Sequence, residues 1–322
     1  MSTGELGLIF HWGLYSVPAF DSVVSARRRK TQNGSEWYYG RLIADINGFR
    51  PIAGSKETQQ FHKQSYPDYS YDNFKQHFLT EPELWLQTVQ QWMALAKEVG
   101  ATYVILTAKH HDGYCLWPTN VEPHKQITTK LDILGTFADA AMDHGLRFGI
   151  YYSWWEFNRN ITKDYLNNVI IPEINELKQN YNPDIWWFDG HWKLESQIAN
   201  STVDAIVKDL RRFNPGVEIN DRIVKKMDNP NVLGSATYRV YEDRTLPSET
   251  PLVPWEHINT LGLSWGLNLE QEEAKDYKTQ KQIIDLRDKV FSLGGKLLLN
   301  LGPDANGNLD QNEVLSLKYI NC

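Results

Sequence analysis

The segment LTEPELWLQTVQQWMALAKEVGATYVILTAKHHDG, residues 79–113, holds an amphipathic helix followed directly by a buried strand. Apolar residues recur along its first part at helical spacing, and Gly100 is the residue type that most often follows a helix end. Thr80 is the expected N-cap, with Pro82 in the first turn. The run TYVILTA, residues 102–108, has the continuous apolar character of a strand covered on both faces.

The same alternation recurs along the chain. The other apolar runs are LGLIFHWG (6–13), RFGIYYS (147–153), DIWWFDG (184–190), VEIND (217–221) and KLLLNLGP (296–303). Helical patterns separate these runs, among them one continuous helix expected over residues 274–295. Strands that alternate with helices predict a parallel sheet, and no Gly-x-Gly-x-x-Gly follows the first strand. We therefore predict one α/β domain over residues 1–322, a somewhat irregular (β/α)8 TIM-like barrel.

Composition excludes several classes of partner. The chain has 322 residues, a net charge of −7 and a pI near 5.7, and nucleic-acid binding needs a basic face instead. No apolar run has the length of a membrane span, so we expect no membrane partner. The N-terminus lacks the basic and apolar regions of a secretory signal, which favours a non-secreted protein and otherwise leaves localisation open. The oligomeric state is not indicated.

Polar and aromatic side chains concentrate at the carboxyl ends of the predicted strands. Barrel active sites form at that end. The residues concerned are His11, Trp12, His110, His111, Asp112, Tyr151, Tyr152, Asp189, Asn220, Asp221, Arg222 and Asn300. Aromatic side chains make up 12% of the chain, and many of them stand beside charged groups. Aromatic faces that stack on a sugar ring, with polar groups for its hydroxyls, would suit such a site.

Asp189 is the most distinctive candidate. It ends a buried strand after Trp187 and Phe188, which we expect to form part of an apolar wall. Its carboxylate could act as a nucleophile or base, or could cap the next helix. Glycoside hydrolysis needs a second carboxylate. From the residues alone the choice among Glu242, Asp243, Glu249 and Glu256 stays open.

The motif KHHDG allows metal binding, substrate binding or a structural role for its histidines. Adjacent residues of a strand point to opposite faces, so His110 and His111 reach one pocket only if the chain turns between them. No HxH or HExxH pattern supports a metal, and we predict neither a metal nor an organic cofactor. In EWYYG, Glu36 could accept from hydroxyls and Trp37 could stack on a sugar.

Eight motifs together resemble a known family. They are FHWGLYSVPAF, EWYYGRL, TAKHHDGYCLWPT, LRFGIYYS, NPDIWWFDGHW, NDR, PWEHINTLGLSWG and GGKLLLNLGP, in this order. The chain resembles glycoside hydrolase family 29, the retaining α-L-fucosidases, from residue 7 to about residue 310. The family combines a barrel with, usually, a C-terminal β-sandwich domain. Since the resemblance covers the barrel, we expect the catalytic domain without the sandwich.

The resemblance implies roles for single residues. Asp189 matches the family's nucleophile. The fucose-binding residues of the family match His11, Glu36, Trp37, His110, His111, Arg222 and Trp265. A family tyrosine falls on YYS, where we favour Tyr152 over Tyr151. The family's acid/base lies in a variable loop, for which we rank Asp243 first, Glu242 second and Glu256 third or as pocket support.

The implied function is double-displacement hydrolysis of terminal α-L-fucosyl residues from fucosylated glycans. Two alternatives are kept. The first is a lectin-like, fucose-binding barrel without catalysis. The second is a metal-dependent barrel hydrolase that uses the KHHDG side chains.

Overall fold

The protein is an eight-stranded parallel barrel. The computed structural model describes residues 4–28, 34–45, 52–193, 200–223, 229, 231–318 and 320. Its strands are β1 Leu6–Phe10, β2 Tyr103–Lys109, β3 Arg147–Ser153, β4 Ile185–Asp189, β5 Glu218–Ile219, β6 Arg239–Val240, β7 Trp255–Thr260 and β8 Lys296–Leu301. They form one sheet in the order β5-β4-β3-β2-β1-β8-β7-β6, in which every neighbouring pair is parallel.

The two ends of this sheet meet through few hydrogen bonds. A single parallel bridge joins Asn220 to Tyr238. Beside it the Thr237 amide donates to the Ile219 carbonyl at 2.8 Å, and the Ile219 amide donates to Thr237 Oγ1 at 2.7 Å. We name this junction, residues 219–220 and 237–238, the seam. Because β5 and β6 are only two residues long, the barrel is closed but irregular there.

Helices cover the outside of the sheet. They are α1 Val23–Arg28, α2 Tyr38–Leu42, α3 Ser55–Ser65, α4 Trp85–Glu98, α5 Ile133–Asp143, α6 Lys163–Tyr165, α7 Ile171–Tyr181, α8 Asn200–Phe213, α9 Glu273–Asp276, α10 Gln280–Ser292 and α11 Gln311–Leu317. A π-helical segment, Leu166–Ile170, connects α6 to α7. In the described part of the chain, no helix is both long enough and apolar enough to cross a membrane.

The helix–strand unit predicted from residues 79–113 is confirmed as α4 and β2. Gly100 adopts a φ of +78° after the last turn of α4, the left-handed conformation expected of a residue that follows a helix end. The predicted cap is wrong, because Thr80 Oγ1 bonds to Asn306 Oδ1 at 3.0 Å and a 3-10 turn, Pro82–Leu84, precedes α4.

The continuous helix predicted over residues 274–295 is also wrong, since two helices occupy this region. Thr279 has extended backbone angles and ends the link between α9 and α10. Its hydroxyl accepts from the Gln282 amide at 3.3 Å, while the Gln282 side chain accepts from the Thr279 amide at 2.8 Å. This capping box starts a new helix inside the apolar pattern.

Two cores lie on the two faces of the sheet. The barrel interior is a small cluster of residues at alternate strand positions: Ile9, Tyr103, Ile105, Tyr151, Ile185, Trp187, Tyr238, Val240, Ile258 and Leu298, with Trp265. Trp186 and Phe188 belong to the larger core between sheet and helices. Strand alternation therefore directs Trp187 and Asp189 to the interior and their neighbours outward.

Candidate active site

A cavity of about 370 Å³, its open mouth included, lies at the carboxyl end of the barrel. The residues that line it are His11, Glu36, Trp37, His110, His111, Tyr151, Trp187, Asp189, Trp192, Arg222, Asp243, Ile258 and Trp265. Most of the site residues predicted from the sequence are thus brought together, and Tyr152, Glu242 and Glu256 are not among them.

One guanidinium links two of the candidate carboxylates. Arg222 Nη1 donates to Asp189 Oδ1 at 3.0 Å, and its Nη2 donates to Asp243 Oδ1. The same Arg222 group lies 4.8 Å from the centre of the Trp187 ring. Asp189 ends β4, and Gly190 follows with a φ of +78°. A Cβ on Gly190 would lie 3.0 Å from the Trp155 backbone, so glycine permits the turn that exposes Asp189 to the cavity.

Asp189 is stabilised as an anion. Burial alone would raise the pKa of its carboxyl group, but the charge of Arg222, together with the hydrogen bond from Tyr151, outweighs burial and holds that pKa below its ordinary value. The Tyr151 hydroxyl donates to Asp189 Oδ2 at 2.8 Å. His111 Nε2 lies 3.6 Å from the same oxygen, which is beyond hydrogen-bond distance. Asp189 therefore carries the negative charge that a nucleophile needs.

The structure corrects the choice of tyrosine. Tyr151 points into the barrel, where Tyr151 pairs with Trp187 across β3 and β4. Tyr152 points outward, and its hydroxyl donates to Glu173 Oε2 at 2.6 Å. Consecutive residues of a strand face opposite sides, so only one of the two can reach Asp189. That residue is Tyr151.

Both histidines of KHHDG reach the cavity because the chain turns directly after β2. The Gly113 amide donates to the His110 carbonyl at 3.1 Å, and Gly113 has a φ of +80°. Asp112 holds the turn by accepting from the Tyr71 hydroxyl at 2.7 Å. The His110 and His111 ring centres lie 4.3 Å apart. This turn satisfies the geometric condition for two adjacent histidines to line one pocket.

Burial keeps the cavity histidines neutral. It lowers the pKa of His11 and of His111 to about 4 and lowers that of His110 well below its ordinary value. At neutral pH each ring therefore has one N–H donor and one acceptor nitrogen. A site for hydroxyl groups needs both functions.

Neighbouring groups determine which nitrogen of two histidines carries the proton. His11 Nδ1 lies 2.5 Å from Asn300 Oδ1, an acceptor, so the Nδ1–H donates. The Ser153 hydroxyl donates to the Trp155 carbonyl at 2.5 Å and hence accepts from His111 Nδ1 at 2.6 Å. In both rings Nε2 is then the acceptor.

Glu36 connects two loops of the cavity wall. Its Oε1 accepts from the Gly34 amide at 2.7 Å, and its Oε2 accepts from the amides of Trp265 and Gly266 at 3.2 and 3.3 Å. Burial raises the pKa of the Glu36 carboxyl group. Glu36 therefore fixes the position of Trp265 and still presents carboxylate oxygens to the cavity. Trp37 packs edge-on against His111, with ring centres 5.7 Å apart.

The candidates for the second carboxylate differ in position. Asp243 lines the cavity, and its side chain is 26% exposed. Glu242 and Glu249 are exposed and do not line the cavity. Glu256 is fully buried near the start of β7, where it accepts from the Tyr103 hydroxyl at 2.6 Å and from Trp187 Nε1 at 2.8 Å. Glu256 thus holds Trp187 from beneath, which fits pocket support and not acid/base chemistry.

The KHHDG side chains do not form a ligand set with one another. Within the described residues, the only group of three potential ligands in metal-binding proximity is Cys115, His124 and Glu173, outside the cavity. Lys109 Nζ donates to Glu173 Oε2 at 2.8 Å there. Although burial opposes it, Glu156 and Glu173 raise the pKa of His124 to about 9, so the ring is a cation. Two cations and two carboxylates already balance in this buried cluster.

Two further side chains belong to the site: Ile258 lines the cavity, and Ser153 lies behind it in contact with His111. Ser153, which orients His111, is aligned with Asp189 in the register of β3 and β4. Ile258 lies on β7, whose sequence WEHINT contains polar residues and therefore lacks the continuous apolar run that predicts a buried strand. The inward positions could be assigned only with the register between strands, which no single run of residues contains.

Comparison with known proteins identifies the family of the chain. A family model described as alpha-L-fucosidase matches residues 3–321. The chain is 28% identical to an alpha-L-fucosidase of Dictyostelium discoideum, covering 98% of the chain and 67% of that protein. It is 30% identical to the tissue alpha-L-fucosidase of Bos taurus, covering 94% of the chain and 62% of that protein. The chain thus spans about two thirds of the length of these relatives.

A solved structure gives the same result. The alpha-fucosidase of Thermotoga maritima in complex with a mechanism-based inhibitor superposes with a TM-score of 0.79 at 26% identity, covering 99% of this chain and 71% of that one. The fold and the match over nearly the whole chain agree. The chain belongs to the alpha-L-fucosidase family, glycoside hydrolase family 29.

Proposed function

We propose that this chain is a retaining α-L-fucosidase that releases terminal fucose from fucosylated glycans. The observation that carries the proposal is the shared contact of Asp189 and Asp243 with Arg222 at the cavity. A retaining glycosidase needs its two carboxyl groups about 5–5.5 Å apart. One guanidinium that binds both carboxyl groups places them in the same cavity, which supports a mechanism that uses the two as a pair.

In the proposed first step, Asp189 attacks the anomeric carbon of the fucoside. The cycle begins with Asp189 ionised and Asp243 protonated, and the bond to the leaving oxygen breaks while Asp243 gives that oxygen its proton. A covalent fucosyl ester on Asp189 results. In the second step Asp243 takes a proton from water, the water oxygen attacks the anomeric carbon, and the ester bond breaks to restore Asp189.

The remaining cavity residues have supporting roles in this proposal. The neutral rings of His11, His110 and His111 exchange hydrogen bonds with fucose hydroxyls, and Trp265 offers an apolar surface. Tyr151 and Arg222 hold Asp189 in position for attack. The structure of the Thermotoga maritima enzyme with fucose is in line with a fucose-sized pocket in this family.

The test is hydrolysis of an aryl α-L-fucoside by the wild type and by Asp189→Ala, with and without azide. We expect a loss on the order of 10³-fold or more in the variant. Azide should restore part of the rate and yield the inverted β-fucosyl azide, because it replaces the missing nucleophile.

Asp243→Ala and Glu242→Ala form a matched pair. Azide should accelerate the Asp243 variant with retained, α-configured product, since the glycosyl-enzyme still forms. The Glu242 variant should keep wild-type activity. Fucose binding by calorimetry without hydrolysis by the wild type would replace the proposal with the lectin-like barrel, and activity that disappears on metal chelation would favour a metal-dependent hydrolase.

A further inference from the structure

Trp192 is an exception among the tryptophans of the chain. Of the 12 tryptophans it alone is exposed, at 47%, while Trp37 is half-buried and the others are buried. An exposed indole forgoes the hydrophobic stabilisation that burial would provide. Trp192 also lines the active-site cavity. A single exposed apolar side chain is common on a protein surface, but one that lines the active-site cavity is placed to contact a ligand.

The indole of Trp192 packs against two neighbouring aromatic rings. It follows Asp189 by three residues, in the 3-10 turn His191–Lys193. Its plane is inclined at 79° to the His111 ring, with centres 5.6 Å apart, and at 64° to the Trp155 ring, with centres 6.5 Å apart. Edge-to-face packing of this kind fixes the orientation of a ring and leaves part of its surface to solvent.

The proposed chemistry determines where the leaving group lies. The proposed function places the fucosyl ring in the cavity beside Asp189, so the group beyond the glycosidic oxygen extends through the mouth. The proton donor has to touch that oxygen. Asp243, with a side chain 26% exposed, lies nearer to solvent than Asp189, at 10%. The leaving group thus departs on the exposed side of the cavity, where Trp192 is the most exposed lining residue.

We infer that Trp192 is the binding platform for the leaving group, and that this group is a pyranose whose apolar C–H face stacks on the indole. The inference rests on the proposed function. It defines the substrate class as fucosyl oligosaccharides and glycans, in which fucose is attached directly to another sugar ring. Simple alkyl fucosides, which have no such face, are poor substrates for this site.

The test compares two substrates of the same fucosyl group. One is α-L-fucosyl fluoride, whose leaving group is too small to reach Trp192. The other is a fucosyl-galactose disaccharide. The variants are Trp192→Ala and the conservative Trp192→Phe. Phe213→Ala is the matched control, because Phe213 is similarly exposed, at 45%, at the end of α8 and away from the cavity.

We expect Trp192→Ala to lower the ratio of kcat/KM for the disaccharide over that for the fluoride by about 10-fold, the upper range for an aromatic contact. Trp192→Phe should restore most of the ratio, and Phe213→Ala should not change it. An equal loss on both substrates would mean that Trp192 supports the fucose pocket instead. An unchanged ratio would mean that the leaving group does not touch it. Either result overturns the inference.

Binding measurements separate this inference from the proposed function. If the wild type hydrolyses neither substrate, the proposed function fails. Calorimetry with fucose and with the disaccharide then shows whether the second sugar ring binds at Trp192. Tighter binding of the disaccharide that disappears in Trp192→Ala would support the platform, and equal affinities of the wild type for both sugars would refute it.

Discussion

Glu313 provides a quantitative test of the fold because its carboxyl group is buried and, among the described residues, no cation lowers its pKa. It lies on α11 with 3% exposure, and its Oε2 accepts from the Gly302 amide at 2.8 Å, just after β8. Burial, with a smaller contribution from the charge of Asp310, raises the pKa of Glu313 from 4.5 to about 8. The perturbation is Glu313→Gln, which keeps the acceptor for Gly302 and removes the titration.

The magnitude follows from linkage. The folded state binds the proton of Glu313 more tightly than the unfolded state does, so this carboxyl group costs nothing when both states are protonated, below pH 4.5. The cost then grows as pH rises to about 8, where it levels off. The pKa difference, 8 − 4.5 = 3.5, corresponds to about 5 kcal/mol at about 1.4 kcal/mol per pH unit. At pH 7 the cost is about 3 kcal/mol, and at pH 5 it is about 1 kcal/mol.

The assay is urea denaturation of the wild type and of Glu313→Gln at several pH values between 5 and 9. The free energy of unfolding of the variant, relative to the wild type, should increase by about 2.5 kcal/mol from pH 5 to pH 7 and by about 4 kcal/mol from pH 5 to pH 9. Glu249→Gln, in an exposed loop, is the control. A difference between the variant and wild type that stays constant over this pH range would refute the reasoning, because it would mean that Glu313 titrates alike in both states.

Two further predictions concern the face that each side chain of β3 and β2 occupies. Tyr151→Phe removes a hydrogen bond to the charged Asp189 and should lower kcat/KM on an aryl fucoside by roughly 10- to 100-fold, whereas Tyr152→Phe should lower the urea midpoint with a smaller effect on rate. The opposite pattern in these two assays would reverse the assignment of the tyrosines. Lys109→Met removes one of the two cations that face Glu156 and Glu173, so one buried carboxylate loses its counter-charge. The substitution should reduce the free energy of unfolding by about 3–5 kcal/mol. A denaturation curve like that of the wild type would contradict the view of this cluster as a balanced set of charges.

The elements that the sequence predicts correctly are those whose pattern of apolar and polar residues lies within one continuous segment. For α4 and β2, a helical stripe followed by an uninterrupted apolar run is enough, and Asp189 is conspicuous because it ends such a run. β7 was overlooked because Glu256, His257 and Asn259 interrupt its apolar character, although all three are buried. Their partners come from distant parts of the barrel, such as Tyr103 for Glu256. A buried polar residue is recognisable only when its partner is known.

The sequence could not decide between Glu242 and Asp243 because the orientation of their loop also depends on contacts with distant residues. Arg244 has a φ of +59°, and its amide donates to the Ile258 carbonyl at 3.1 Å. The Arg244 side chain lies over the Trp265 ring at 5.2 Å. These contacts turn the loop so that Asp243 reaches the cavity and Glu242 points to solvent. A left-handed arginine is uncommon, and no sequence pattern predicts it.

The seam has a consequence for how such a barrel can change during evolution. Asp243 lies on the segment just after β6, where one bridge closes the sheet, whereas the ladder between β3 and β4 has five residue pairs. Insertions or deletions beside the seam disturb few backbone hydrogen bonds, whereas Asp189, the proposed nucleophile, is aligned with Ser153 in the ladder between β3 and β4. Under the proposed function, selection can therefore relocate the acid and reshape the leaving-group side while the proposed fucose pocket stays intact. In the proposed catalytic pair, the sheet constrains the position of Asp189, whereas the loop that carries Asp243 can vary in length and sequence.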